Sequence, residues 1–329
     1  MSRITSLRKC RHVFVSGPPR SGTTLLQLIL SAHPLITITP ETIFIQKLFE
    51  RKFLPNKELN QDETAFVMHL MRSDVKLNSW PAFDLHDFLK ANSINQGMTV
   101  GQILDSLFVK YAEKICGGSQ IVGNKKGLYA SGYGPYTKII FPDAKFLYIV
   151  RDPRDVSRSI LENLSKRSLN EAAASCVNRD RHMAKMMGIF PDDVLVLRFE
   201  DLVSEPETVC RKMCYFLGVP FDERMLSFYR MNLDGARLIG VSKSIHRNTA
   251  TPLNPDLIGQ WKRNSYFSAK ELQKIEGITR DYMKRYGYKP EAPFGGIKIE
   301  IIRLKILGEL LLRSLRGKLT KSTELGKNT

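Results

Sequence analysis

Short apolar runs recur along the chain, separated by stretches in which apolar residues fall three and four apart. The runs at 13–15, 145–150 and 194–198 predict buried strands, and the extended stretches LITIT at 35–39 and QIVGN at 120–124 predict two further strands. Helical spacing predicts helices over 23–32, 43–51, a piece near 62–71, 99–116, 170–188, 205–217 and 268–286. Thr99, with Gln102 three residues on, predicts a capped start for the fourth of these, Pro153 opens a further helix, and Gly218 closes the one that ends at 217. Strands alternating with helices predict an α/β fold, a mostly parallel central sheet with helices on both faces. Ligands of such sheets sit beyond the C-terminal strand ends. The segment 17–22, Glu41, Lys125 and Arg151 all follow predicted strands.

Residues 52–100 are the least patterned. They are read with the helix that follows as an acceptor-side insert, about 52–118, within a single domain spanning 1–290. Residues 297–321 form a separate amphipathic pattern, with Ile301, Leu304, Leu307, Leu311, Leu312 and Leu315 on one broad face and Lys305, Glu309, Arg313 and Arg316 opposite. Seven Lys or Arg against two Glu give this stretch a net charge of +5. It suits an interfacial helix on anionic lipid, or a helix docking on the core or on a second subunit. Residues 322–329 are expected to be a disordered tail.

The chain has 329 residues, 43% of them hydrophobic, enough for one large core. Five cysteines show no disulfide framework, and no signal peptide or spanning segment is apparent, so the expected compartment is reducing and cytoplasmic. Cys210 and Cys214 have no His or Cys pair beside them, and no metal is expected. The net charge of +17 favours polyanions: nucleic acid, anionic lipid or a highly charged cofactor. No basic tract interleaved with aromatics appears, so no nucleic-acid partner is expected.

The most ordered string is GPPRSGTT, residues 17–24, between the first strand and the first helix. A helix start leaves N–H groups without intrahelical acceptors and favours an anion. Gly17 and Gly22 allow close backbone approach, while Ser21, Thr23 and Thr24 add hydroxyls. The glycines match the spacing of the nucleoside-triphosphate loop, G-x-x-x-x-G-K-[ST], but Thr23 stands where its lysine would be and the charge sits earlier, at Arg20. An anion held without metal is the expectation, in a three-layer architecture like that of P-loop nucleotide hydrolases.

The string PRSGTT, with RDPRDVSRS at 151–159, resembles the sulfotransferases that use 3′-phosphoadenosine-5′-phosphosulfate (PAPS) and release 3′-phosphoadenosine-5′-phosphate (PAP). The likeness covers roughly 11–285. HP…PET after the first helix, NK at 124–125, FPDAKFLYIVRDPR at 141–154 and RFEDLV at 198–203 bring it closer to the carbohydrate and tyrosylprotein branch than to the cytosolic phenol and steroid branch. The resemblance implies that Gly17, Pro19, Arg20, Ser21, Gly22, Thr23 and Thr24 hold the 5′-phosphosulfate, and that Arg151 and Ser159 hold the 3′-phosphate, with Arg154 and Arg158 as alternatives. A guanidinium fork and a hydroxyl suit phosphate oxygens. Arg20 and Lys125 would hold negative charge developing on the bridging oxygen, with Lys126 competing for the second role. Glu41 matches the branch's glutamate and is the candidate general base; its bland alternative is a charge at the helix start before Ile43. A histidine base remains the rival, with His69 and His86 in the insert, while His33 is expected to cap or pack. Residues 243–264 resemble the late segment closing over the nucleotide, with Lys243, Ser244, Arg247 and Lys262 as further 3′-phosphate contacts and Gly259 and Trp261 keeping the family's G-x-W.

The function implied is sulfuryl transfer from PAPS to a hydroxyl of a glycan, glycolipid or natural product, in a cytoplasmic enzyme with possible peripheral membrane contact or self-association through 297–321. The rivals are a small-molecule phosphotransferase with a variant loop, and a non-catalytic membrane-associated scaffold retaining the fold.

Overall fold

The computed structural model describes residues 11–51, 53, 56–90, 94–125, 132–164, 167–233, 251–291, 299–305 and 308. Five strands form one sheet: β1 (Arg11–Ser16), β2 (Ile36–Thr39), β3 (Ile121–Lys125), β4 (Lys145–Val150) and β5 (Val194–Arg198). The order across it is β2-β3-β1-β4-β5, and every pairing is parallel. Parallel strands are covered on both faces, which is why β4 reads as a continuous apolar run and why even the polar residues of β2 and β3 are buried. Val13, Phe14 and Val15 have no exposed surface, and all of β2 and β3 is buried.

The helices are α1 (Thr23–Ser31), α2 (Phe44–Glu50), α3 (Gln61–Arg72), α4 (Leu85–Lys90), α5 (Val100–Cys116), α6 (Gly134–Ile140), α7 (Pro153–Asn163), α8 (Leu169–Ile189), α9 (Phe199–Ser204), α10 (Pro206–Leu217), α11 (Phe228–Leu233), α12 (Ala269–Ile278) and α13 (Arg280–Tyr286). The capping box predicted for α5 forms between Thr99 and Gln102, and Asn60–Glu63 and Ser268–Glu271 make two more at α3 and α12. The helix expected over 268–286 is interrupted. Thr279 leaves helical geometry at φ −96°, ψ 11°, its hydroxyl bonding back to the Ile275 carbonyl at 2.8 Å, and α13 starts afresh.

The chain forms two compact units. The first contains Met1–Gly17, Ser21–Val150 and His182–Pro255, and holds the whole sheet. In it, the poorly patterned stretch has a packed centre of its own. Trp80 meets Tyr111 of α5 edge-on, ring centroids 4.9 Å apart, and Phe83 and Phe88 join them. The second unit contains Pro18–Arg20, Arg151–Arg181 and Asp256–Thr329. Its core gathers Ala173, Trp261, Phe267, Ile275 and Ile278, with Leu161 and Ile302 packed against them. Of the stretch 297–321, Ile299 lies so close to Gly277 that a methyl there would meet it at 2.3 Å, whereas Ile301 and Leu304 are 57% and 58% exposed. Cys116, Cys176, Cys210 and Cys214 are free thiols, and no helix among the described residues is long and apolar enough to cross a membrane.

Candidate active site

In the first unit the strand β1 runs into a turn that only small residues can make. A side chain at Gly17 would meet the Ile149 carbonyl at 2.3 Å. Gly22 takes φ 97°, and a side chain there would meet the Phe199 ring at 2.7 Å. Gly22 is the N-cap of α1 and brings no side chain to the first helical N–H groups; the first turn holds no acidic residue either. Those donors, with their share of the helix dipole, face outward along the axis. Beside them Ser21 is fully buried, and its hydroxyl has no protein partner among the described residues. A buried hydroxyl left without a partner beside an uncapped helix start is an arrangement that suits an anion.

Lys125 stands at the end of β3 rather than in a loop, and its side chain is 3% exposed. Its ammonium donates to Thr24 Oγ1 at 2.9 Å and lies 3.5 Å from Glu41 Oε1. Asn124, the residue before, anchors the chain that leads to Glu41 by donating to Thr39 Oγ1 at 2.8 Å and to the Pro40 carbonyl at 2.7 Å. The other carboxylate oxygen, Oε2, accepts from Lys76 at 2.6 Å. Glu41 does not act as the terminal charge of α2. Asp74 does so from a distant turn, its Oδ2 accepting from the Ile43 and Phe44 amides at 2.6 and 2.8 Å. That contact is long-range, so local sequence gave no sign of it.

In the second unit Arg20, Arg151 and Ser159 come together. Arg20 Nε donates to Ser159 Oγ at 3.0 Å, and Arg151 Nη1 donates to the Arg20 carbonyl at 3.3 Å. Because the Ser159 hydroxyl accepts from Arg20, its own proton is left to donate. Arg151 Nη2 donates to the Leu257 carbonyl at 2.6 Å, and Asp155 lies 3.9 Å away. Arg20 sits at φ 67°, a conformation that strains a residue with a side chain. Burial, and then the neighbouring Arg151, push its pKa down. Two guanidinium groups held this close favour an anion nearby.

Arg154 is not an alternative for that anion. It is 5% exposed at the side chain, forked onto Asp152 at 2.9 and 2.7 Å, bonded to Glu276 at 2.7 Å, and stacked on the Trp261 ring at 4.1 Å. Burial opposes its charge, yet these carboxylates outweigh it and raise the pKa. Arg158 pairs with Glu162 at 2.8 Å and reaches Gln260. Asp155, unremarked in the sequence, anchors the G-x-W string: its carboxylate accepts from the Gly259 and Trp261 amides, each at 2.9 Å. Burial pushes its pKa up while Arg151 pulls the other way. Lys262 pairs with Glu291 and lies over the Trp261 ring. Lys243, Ser244, Arg247 and Lys126 lie outside the described residues. His33 is committed structurally, one ring nitrogen to the Pro220 carbonyl and the other to the Leu35 amide, and His12 pairs with Asp105.

Residues 12–223, well over half of the chain, match the model of the sulfotransferase family. The chain belongs to that family. Protein-tyrosine sulfotransferase A of Caenorhabditis elegans is 23% identical over 298 residues, covering 87% of this sulfotransferase and 69% of its own length. Protein-tyrosine sulfotransferase of Drosophila melanogaster is 25% identical over 270 residues, 77% of this chain and 47% of its own. Relatives of this kind set the chain beside the tyrosylprotein branch. In structure it is similar to the sulfotransferase domain of the curacin biosynthetic pathway, with a TM-score of 0.57 at 20% identity, over 87% of this chain and all of that one. The sulfotransferase domain of the Synechococcus PCC 7002 olefin synthase gives 0.53 at 21%, over 85% and 94%. Membership makes this sulfotransferase a PAPS-dependent transferase and favours sulfuryl over phosphoryl transfer.

Proposed function

We propose that the chain transfers the sulfuryl group of PAPS to an acceptor hydroxyl, with Glu41 as the general base. Bound PAPS supplies a sulfur whose bond to the 5′-phosphate oxygen breaks as the acceptor oxygen bonds to it. Glu41 takes the acceptor's proton through Oε1, and the electron pair of the broken bond stays on PAP. Lys125, buried and aimed by Thr24, counters the charge that develops there, as does Arg20. Gly17, Pro19, Ser21, Gly22, Thr23 and Thr24 cradle the 5′ end in the manner of a P-loop. Arg151 and Ser159 hold the 3′-phosphate. The single observation carrying this reading is the Thr24–Lys125–Glu41 chain, a cation and a carboxylate beside an uncapped helix start that has an orphaned hydroxyl.

Glu41→Gln tests it. Turnover should fall about 10²- to 10⁴-fold, with PAP affinity by calorimetry unchanged. Unaltered turnover removes Glu41 from the base role.

The acceptor class argued from the motifs is a glycan, glycolipid or natural-product hydroxyl; the names of the relatives add the phenol of a tyrosyl residue. Sulfur-35 transfer from labelled PAPS to a panel of both kinds separates them. We propose further that 297–321 touches anionic membrane, because Ile301 and Leu304 are exposed on a strongly basic stretch. Phosphatidylserine vesicles should sediment the wild type and release Ile301→Asp/Leu304→Asp; equal sedimentation refutes this.

A further inference from the structure

The turn that follows α3 lies in the stretch where the sequence carries no motif, yet three of its side chains converge on Glu41 and its neighbours. Asp74 is 3% exposed, and it ties two backbone segments together. Its Oδ2 accepts from the Ile43 and Phe44 amides, and its Oδ1 from the Lys76 and Leu77 amides at 2.9 and 3.2 Å. The turn is thereby fixed against the chain just after Glu41. From it Lys76 reaches Glu41 Oε2 at 2.6 Å, and Trp80 Nε1 donates to the Glu41 carbonyl at 3.1 Å. Trp80 is itself held by Tyr111 and Phe83.

We infer that Lys76 is a positioning residue for Glu41, and that the 74–80 turn exists in this fold as the brace of the base. The inference rests on Glu41 being that base. Among the described residues, ammonium groups lie at both oxygens of Glu41, Lys76 at 2.6 Å from Oε2 and Lys125 at 3.5 Å from Oε1. The nearer one fixes Oε2 and thereby aims Oε1. Without it, the carboxylate is drawn onto Lys125, whose surroundings are drier and whose attraction is therefore stronger. A closed Glu41–Lys125 pair would occupy both the proton acceptor and the cation needed at the sulfuryl group. Lys76 is 47% exposed, so as a stabilising ion pair it contributes little. Its effect is on geometry, where a displacement of about 1 Å costs up to about 10²-fold in rate.

The experiment is a double-mutant cycle of Lys76→Met and Glu41→Gln, read as kcat, KM for PAPS, PAP affinity and Tm. Lys76→Met should lower kcat about tenfold or more, leave KM for PAPS, PAP affinity and Tm near wild type, and be rescued in large part by Lys76→Arg. In the Glu41→Gln background it should cost nothing further. Trp80→Phe keeps the packing, removes the bond to the Glu41 carbonyl, and should lower kcat about two- to threefold. If Glu41→Gln is inactive while Lys76→Met and Trp80→Phe turn over normally, the brace is overturned and the base stands. The same holds if Lys76→Met costs as much with Glu41→Gln as without it. If Glu41→Gln turns over normally, the base reading fails first and the brace falls with it.

Discussion

Arg151 and Arg154 stand three residues apart in one string, and the second unit treats them in opposite ways. Arg154 is enclosed by carboxylates: the Asp152 fork, Glu276 and, beneath, the Trp261 ring. Arg151 is held by two carbonyls, with Asp155 at the edge of reach and a second guanidinium, Arg20, alongside. The first arrangement neutralises a charge so that it can be buried as part of a core. The second holds a charge mainly by two carbonyls, with the Asp155 carboxylate at 3.9 Å. Lys125 differs from the exposed pairs of the surface in that it is buried and donates to a hydroxyl, Thr24, as well as lying 3.5 Å from Glu41. A cationic site is marked by how its cations are held rather than by how many there are.

Four substitutions press on this contrast, beginning with the largest expected change. Arg154→Met strands Asp152 and Glu276 in a dry setting and should cost about 3–5 kcal/mol of stability, measured by urea unfolding; a loss below 1 kcal/mol would mean that the carboxylates are not burial partners. Arg151→Lys keeps the charge and loses the fork. PAP affinity by calorimetry should drop about 100-fold, near 2.7 kcal/mol, with stability almost intact. An equal loss of stability for Arg151→Lys and Arg154→Met would erase the distinction. Thr24→Val removes one of the groups that the buried Lys125 ammonium donates to. It should cost about 2 kcal/mol in denaturant, and a neutral result would mean that the hydroxyl does not aim the lysine.

The smallest effect belongs to Asp222, which makes the same fork with Arg224 that Asp152 makes with Arg154, at 2.8 and 2.7 Å, but in the open. The Arg224 bonds hold its carboxyl down at about 2. The pair's contribution is therefore present above the ordinary carboxylate range and lost as pH falls toward that value. Asp222→Asn should cost no more than about 1 kcal/mol at pH 7, and the gap to wild type in thermal melts should close on acidification. A larger cost would show that geometry, not burial, sets the value of the fork.

Local pattern was enough for the strands, for most helices, for the α5 cap and for the loop between Gly17 and Thr24, because period, capping and turn chemistry act over a few residues. The two anion motifs and the PET string also lie in contiguous sequence, so the family and its donor could be read there. What the sequence could not assign was the partner of each charge. Asp152, which forks Arg154, is two residues away, but Glu276, the buried carboxylate that completes the enclosure, lies 122 residues on. Nothing near Glu41 points to Lys76, 35 residues on in an unpatterned stretch, or to Asp74 as the group that relieves it of capping α2. Ion pairs, orphaned hydroxyls and the aim of a carboxylate are set by long-range contacts, whose energies depend on distance and burial, and only the folded chain fixes those.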